Sequence, residues 1–233
     1  MSADATGAAR RPPLVLLGLA AGPLVSMVDS SAVNVAVPEV AAELAAPLAA
    51  AGWIVSAYLL GIAACLPACA WLARRFGTRR VYATALVAFG AASALCGLAP
   101  GIEALIALRA VQGLASAPLV PLALALLFGD EPGRRGGAKM RPPMAAALMF
   151  FLAPALGPTV GGLLMAAGGW RLIFMINVPL IALGLLGVRR LPADPPADPG
   201  RARLDLPGLA LLTLGATAAV YGAAELTSGG EAR

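Results

Sequence analysis

Long apolar runs almost free of charge, parted by short polar or basic stretches, recur from one end of the chain to the other. The first lies at Leu14–Val37, and others follow at Ala50–Leu72, Val81–Ala99, Ala104–Leu127, Met144–Met165, Leu172–Val188 and Leu206–Ala224. About 20 apolar residues in a helix cross about 30 Å of hydrocarbon, so each run predicts one membrane span. Barrel strands are excluded, because they are much shorter and alternate polar with apolar residues. A helix also satisfies its own backbone hydrogen bonds, which lipid demands of any exposed segment. The pattern predicts an all-α membrane protein of seven spans.

Composition agrees. The chain is 60% hydrophobic and 12% charged, against roughly a quarter charged for soluble domains. Its net charge of +5 raises the question of a nucleic-acid partner, which the placement of the basic residues answers. Arg10 and Arg11 precede span one, and Arg74, Arg75, Arg79 and Arg80 follow span two. Arg134, Arg135, Lys139 and Arg141 follow span four, and Arg189, Arg190, Arg201 and Arg203 follow span six. The alternate loops carry Glu39, Glu43 and Glu103, with Arg171 as their positive residue. This is the positive-inside pattern of a multi-pass protein of the cytoplasmic membrane with its amino terminus in the cytoplasm. The basicity therefore reflects topology, and no nucleic-acid partner is expected.

Span one is too long for a signal-peptide core and lacks a cleavage site followed by a soluble domain. Cys65, Cys69 and Cys96 fall within apolar runs and read as small buried hydrophobes. The chain has no histidine, which removes the usual zinc ligand and imidazole relay. No metal, cofactor or enzymatic chemistry is expected beyond translocation.

The segment "RRLPADPPADPGRARLD" from Arg189 to Asp205 is rich in Pro, Asp and Arg and reads as an extended connection. It divides residues 1–190, a six-span bundle, from a linker at 191–205 and from residues 206–233, a seventh span with a short tail. Many secondary transporters pair two bundles around a solute site. The ending "ELTSGGEAR" leaves the second bundle missing, so transport is expected to need that carboxy-terminal bundle or self-association.

Three ionisable residues fall inside spans: Asp29, Arg109 and, at the outer end of span seven, Glu225. Each costs roughly 2.5–3.5 kcal/mol to insert and such residues usually face a bundle interior. At about 1.5 Å per residue, Asp29 and Arg109 lie at similar depths in the outer half and are able to pair. Burial penalises the charged carboxylate while a guanidinium favours it, so separating the two would switch the proton occupancy of Asp29. The alternative is that Asp29 merely hydrogen-bonds Ser26 or Ser30. Arg109, Gln112 and Ser116 share one helical face, a polar stripe suited to a cavity or a helix contact. In span five, Pro158 predicts a kink, and Gly157, Gly161 and Gly162 predict a flat face, for either a moving or a static contact.

These stretches resemble the major facilitator superfamily, in particular its fourteen-span drug:proton antiporter branch of the EmrB/QacA type, and the likeness covers most of the chain. It is carried by "MVDSSAVNVAVP" in span one, "WIVSAYLL" in span two and "LIALRAVQGLAS" in span four. "GPTVGG" in span five and "WRLIFMINVP" at span six complete it. The loop "AWLARRFGTRRV" resembles the superfamily's gating loop at Gly77, Arg79 and Arg80. It departs from it at Ala70, in place of a glycine, and at Arg74, in place of an aspartate. The resemblance implies an amino-terminal half of a proton-coupled exporter of small amphipathic or cationic drugs, with lipid, protons and a small solute as partners. It implies proton coupling at Asp29 and Arg109, and a cavity lined by Asn34, Gln112 and Ser116. It further implies an antiporter motif at Gly157, Pro158, Gly161 and Gly162. An exporter of one metabolite or antibiotic, and a truncated fragment without transport activity, are the alternatives.

Overall fold

The computed structural model describes residues 13–128, 144–194 and 206–228. Arg10, Arg11, the basic run Arg134 to Arg141 and most of the expected linker lie outside these residues.

Helix α1 spans Pro13–Glu43, continuing past the predicted end at Val37. Pro23 sits inside it and has no N–H to give the Leu19 carbonyl. The Tyr82 hydroxyl supplies the missing donor, 3.0 Å from that oxygen, and the helix runs on. Pro67, Pro118 and Pro179 coincide with breaks, while Pro38 lies inside α1 as Pro23 does. Span two is α2 (Leu48–Cys65), a single 3₁₀ turn at Leu66–Ala68 containing Pro67, and α3 (Cys69–Phe76). After α4 (Thr78–Gly97), span four divides into α5 (Ile102–Ser116) and α6 (Leu119–Phe128) around Pro118. Helix α7 covers Met144–Gly168, and α8 (Arg171–Met175) and α9 (Asn177–Val188) part at Ile176, just before Pro179. Helix α10 is Leu206–Ser228.

Among the described residues, five stretches are long and apolar enough to cross a membrane: Pro13–Glu43, Leu48–Phe76, Thr78–Gly97, Ile102–Leu127 and Arg171–Val188. Within α7 and α10 the described apolar stretches are Ala155–Gly168 and Ala210–Ala219. All seven predicted runs are thus helical, and the described residues contain no strand.

Helix α1 lies at the centre, against α7, α9, α2 and α6, while α5 packs on α2 and α4 packs on α5 and α9. Between α2 and α5 the backbones nearly touch: a Cβ on Gly113 would fall on the Tyr58 carbonyl, and one on Gly61 on the Ala110 carbonyl. Helix α10 leans on α2, with Thr213 Oγ1 donating to the Ala64 carbonyl at 3.2 Å and the Tyr221 ring 5.7 Å from that of Trp53.

Two apolar clusters fill the bundle. One holds Leu19, Tyr82, Leu86, Phe89, Leu119 and Ile181, toward the end bearing Arg79 and Arg189. The other holds Val33, Val40, Ile54, Leu105, Trp170 and Ile173, toward the opposite end. Along α1, α4, α5 and α9 the residues that separate these clusters are buried and polar: Ser26 and Asp29, Ser93, Arg109 with Gln112 and Ser116, and Asn177. The bundle is a polar layer between two apolar ones.

Candidate buried charge site

Asp29 occupies the inward face of α1 and is 1% exposed; Arg109 and Gln112, one turn apart on α5, are both 0% exposed. Arg109 Nη1 donates to Asp29 Oδ2 at 2.6 Å and to Gln112 Oε1 at 2.8 Å. Gln112 Nε2 reaches Asp29 Oδ1 at 3.4 Å. A second and shorter bond to Oδ1 comes from Asn177 Nδ2 at 2.7 Å, which also lies 2.9 Å from Ser93 Oγ. Ser93 in turn donates to the Phe174 carbonyl at 2.9 Å.

The guanidinium is held from its other sides as well. Arg109 Nε donates to the Ile54 carbonyl at 3.3 Å, and its central carbon stands 4.1 Å from the Tyr58 ring centre and 5.7 Å from that of Phe174. Tyr58 Oη lies 2.7 Å from Ser116 Oγ and 3.3 Å from the Ser26 carbonyl. Two opposite charges without water are tolerable only when paired and hydrogen-bonded, and here the partners come from α1, α2, α4, α5, α8 and α9. Among the described residues Arg109 Nη2 is buried without a partner, as is Thr217 Oγ1 on α10.

The expected pair of Asp29 and Arg109 is therefore in contact, with Gln112 joining both. Ser116 shares the layer but serves Tyr58. Ser26 bonds the Pro23 carbonyl at 3.1 Å, so the carboxylate's hydrogen-bond partners lie on α5 and α9, not on its own helix. Asn34 does not line the cavity beside Asp29: it is exposed, and its amide donates to the Ser30 carbonyl of its own helix at 2.8 Å. Asp29 and Asn34 are five positions apart, which turns the second side chain away from the first.

The span-five motif divides in two. A Cβ on Gly161 would stand 3.0 Å from the Ala32 Cα, and one on Gly157 would strike the Ser31 side chain. These glycines let α7 press on α1 within one turn of Asp29. Gly162 meets nothing within 4 Å and Pro158 is exposed, with α7 unbroken through it. A cavity of about 590 Å³ runs between α1, α6, α7 and α9, walled by side chains such as Leu24, Val28, Leu124, Val160 and Leu180. Asp29 and Asn177 are its polar wall residues among those described.

At the arginine-rich end, Gly77 joins α3 to α4 with φ +94°, a conformation that glycine alone adopts freely. Arg79 and Arg80 donate their backbone N–H groups to the Asp194 carboxylate at 2.8 and 3.0 Å. A carboxylate from the segment after span six thus caps the start of α4, a placement the helix dipole favours. Arg74, which stands where the gating loop's aspartate would be, is exposed. At the other end Trp170 Nε1 donates to Glu43 Oε2 at 2.8 Å, Arg171 pairs with Glu43, and the Arg171 guanidinium covers the Trp170 ring at 4.3 Å.

Asn177, Ser93, Tyr58 and Asp194 escaped the sequence reading. Asn177 and Tyr58 lie inside the stretches "WRLIFMINVP" and "WIVSAYLL", and the signal for Ser93 was a hydroxyl inside an otherwise apolar run.

The Major Facilitator Superfamily model matches residues 19–225. The chain is 33% identical over 211 residues to multidrug export protein EmrB of Haemophilus influenzae, covering 87% of this chain and 39% of that protein. It is 38% identical over 218 residues to a puromycin resistance protein of Streptomyces alboniger, covering 92% and 42% respectively. The solved structure of the nucleoside transporter NupG superposes with a TM-score of 0.62 over 87% of this chain and 50% of that one, at 18% identity, a likeness of fold. The chain spans less than half the length of these curated relatives.

Proposed function

The chain belongs to the major facilitator superfamily, and we propose that it is the amino-terminal bundle of a proton-coupled exporter of small amphipathic, often cationic compounds. The arginine-rich end faces the cytoplasm in this reading, and the protein crosses the cytoplasmic membrane. The observation that carries the proposal is Asp29, a fully buried carboxylate engaged by Arg109, Gln112 and Asn177 on the wall of an apolar cavity of about 590 Å³.

The proposed chemistry is a competition for one carboxylate. With Asp29 charged, the Arg109 guanidinium and the Asn177 amide donate to it and tie α1 to α5 and α9. A proton on Asp29 cancels the charge that holds the guanidinium and loosens those ties, since a guanidinium stays charged throughout. A cationic solute entering the apolar cavity competes for the same charge. Proton and solute are thereby bound in alternation, and the proton gradient drives the solute outward. The close approach of Gly157 and Gly161 to α1 gives α7 a surface on which to shift as the state of Asp29 changes.

The test is the full protein reconstituted in vesicles with an imposed pH gradient, comparing the parent with Asp29→Asn. Loss of proton-driven efflux is expected; efflux at the parental rate would overturn the role given to Asp29.

Export of a single antibiotic is a second reading, favoured by the relative named for puromycin resistance. A competition panel of puromycin against unrelated lipophilic cations separates the two, because one selective competitor supports this second reading and general competition supports the first.

A further inference from the structure

Outside the buried site the molecule carries a second built feature, a groove of about 350 Å³ between the start of α4 and the end of α9. Its walls are Ala83, Val87, Leu185 and Val188, with Arg79 and Arg189 at its polar end and Thr84, whose hydroxyl donates to the Arg80 carbonyl at 2.9 Å. We propose that this groove binds an anionic phospholipid, the phosphate lying against the arginines and an acyl chain along the apolar wall.

The arginine arrangement supports an anion. Arg79 Nε donates to the Val188 carbonyl at 3.2 Å and its Nη2 to the Arg189 carbonyl at 3.0 Å. These carbonyls end α9, where the last oxygens have no intrahelical partner, and that of Val188 also accepts from the Leu191 N–H at 3.1 Å. The two bonds fix the guanidinium in place, and its remaining N–H groups are oriented before any ligand arrives, so little ordering cost is left for binding. Arg80, Arg189 and Arg190 are exposed at the same end. The ion pairs among the described residues are Arg109–Asp29 and Arg171–Glu43, both elsewhere. Among the described residues the acid at this end is Asp194, and its two oxygens already accept the Arg79 and Arg80 backbone amides. Among the described residues beside the groove, the guanidiniums of Arg79, Arg80, Arg189 and Arg190 thus stand with one carboxylate already engaged by backbone amides, a positive surplus that a phosphodiester would match.

The walls decide for a lipid. Both helices belong to stretches able to cross a membrane, Thr78–Gly97 and Arg171–Val188, so the groove opens where a span meets the headgroup layer. Val87 is 54% exposed and Leu186, beside the groove, 50%, which suits a hydrocarbon chain and offers nothing to a soluble ion. Basic pockets between spans at this level are the physical setting in which anionic headgroups are held.

The test uses the full protein in nanodiscs of phosphatidylcholine with increasing phosphatidylglycerol, counting retained lipid by native mass spectrometry. R189Q/R190Q removes two exposed guanidiniums beside the groove. R74Q/R75Q removes the same charge from α3 at the same end, away from the groove. At about five-fold per arginine, R189Q/R190Q is expected to weaken phosphatidylglycerol retention by about 10- to 30-fold while R74Q/R75Q changes it less than about three-fold. Equal losses in the two variants, or parental retention of phosphatidylglycerol no greater than that of phosphatidylcholine, would overturn the site. Complete displacement by an equal concentration of inorganic phosphate would overturn the lipid in favour of a soluble anion. None of these readouts depends on transport, so failure here leaves the efflux reading standing.

Discussion

Asp29–Arg109 and Glu43–Arg171 are the same chemical pair in opposite surroundings. The first has no exposed side-chain surface, whereas the partners in the second are 46% and 39% exposed. At the surface, water already solvates both charges, and such a pair is worth about 0–1 kcal/mol. In the core each ion loses several kcal/mol of solvation, and the pair survives because Gln112, Asn177, the Ile54 carbonyl and the Tyr58 ring share the burden. The buried pair is therefore a statement about assembly: it is tolerable only when several helices arrive together. The exposed pair, with Trp170 as its neighbour, only fastens the end of α1 to the start of α8.

That contrast is open to attack in order of expected effect. Arg109→Gln strips the carboxylate of its counter-charge and should lower stability by about 3–5 kcal/mol, read as the unfolding midpoint in detergent; a loss under about 1 kcal/mol would place the buried pair in the same class as the exposed one. Asn177→Leu keeps the volume but removes the shortest donor to Oδ1, and the cost should be about 1–3 kcal/mol. Measured in the Asp29→Asn background that cost should shrink, and full additivity would show that Asn177 acts without Asp29. Glu43→Gln should cost less than about 1 kcal/mol and the difference should fade in molar salt. A salt-independent loss would mean that the Trp170 contact, not the charge, holds α1 there.

The spans were legible because their signal is local: the length of an apolar run is set by bilayer thickness, and the helix is the only economical way across. Asp29 and Arg109 were legible for the same reason, since a charge in such a run is conspicuous and its depth follows from counting. Prolines were harder to interpret. Pro118 and Pro179 accompany breaks, whereas Pro23, Pro38 and Pro158 lie in unbroken helix, and at Pro23 the Tyr82 hydroxyl from another helix supplies the lost donor. Asn177 and Ser93 look unremarkable in sequence, and their convergence on Asp29 depends on α4 and α9 packing beside α1. Asn34 lies on the exposed side of α1, because the register of that helix gives the interior of this bundle to Asp29.

What the amino-acid order determined by itself was the position and helical nature of the apolar runs and the presence of two unlike charges at compatible depths. These follow from hydrophobic length, backbone hydrogen-bonding and rise per residue, each a property of one segment. The tertiary structure alone decided which donors complete the carboxylate's shell, which glycines touch α1, and that Asp194 closes the start of α4. Those outcomes depend on distances between helices far apart in sequence, and such distances exist only once the bundle has packed.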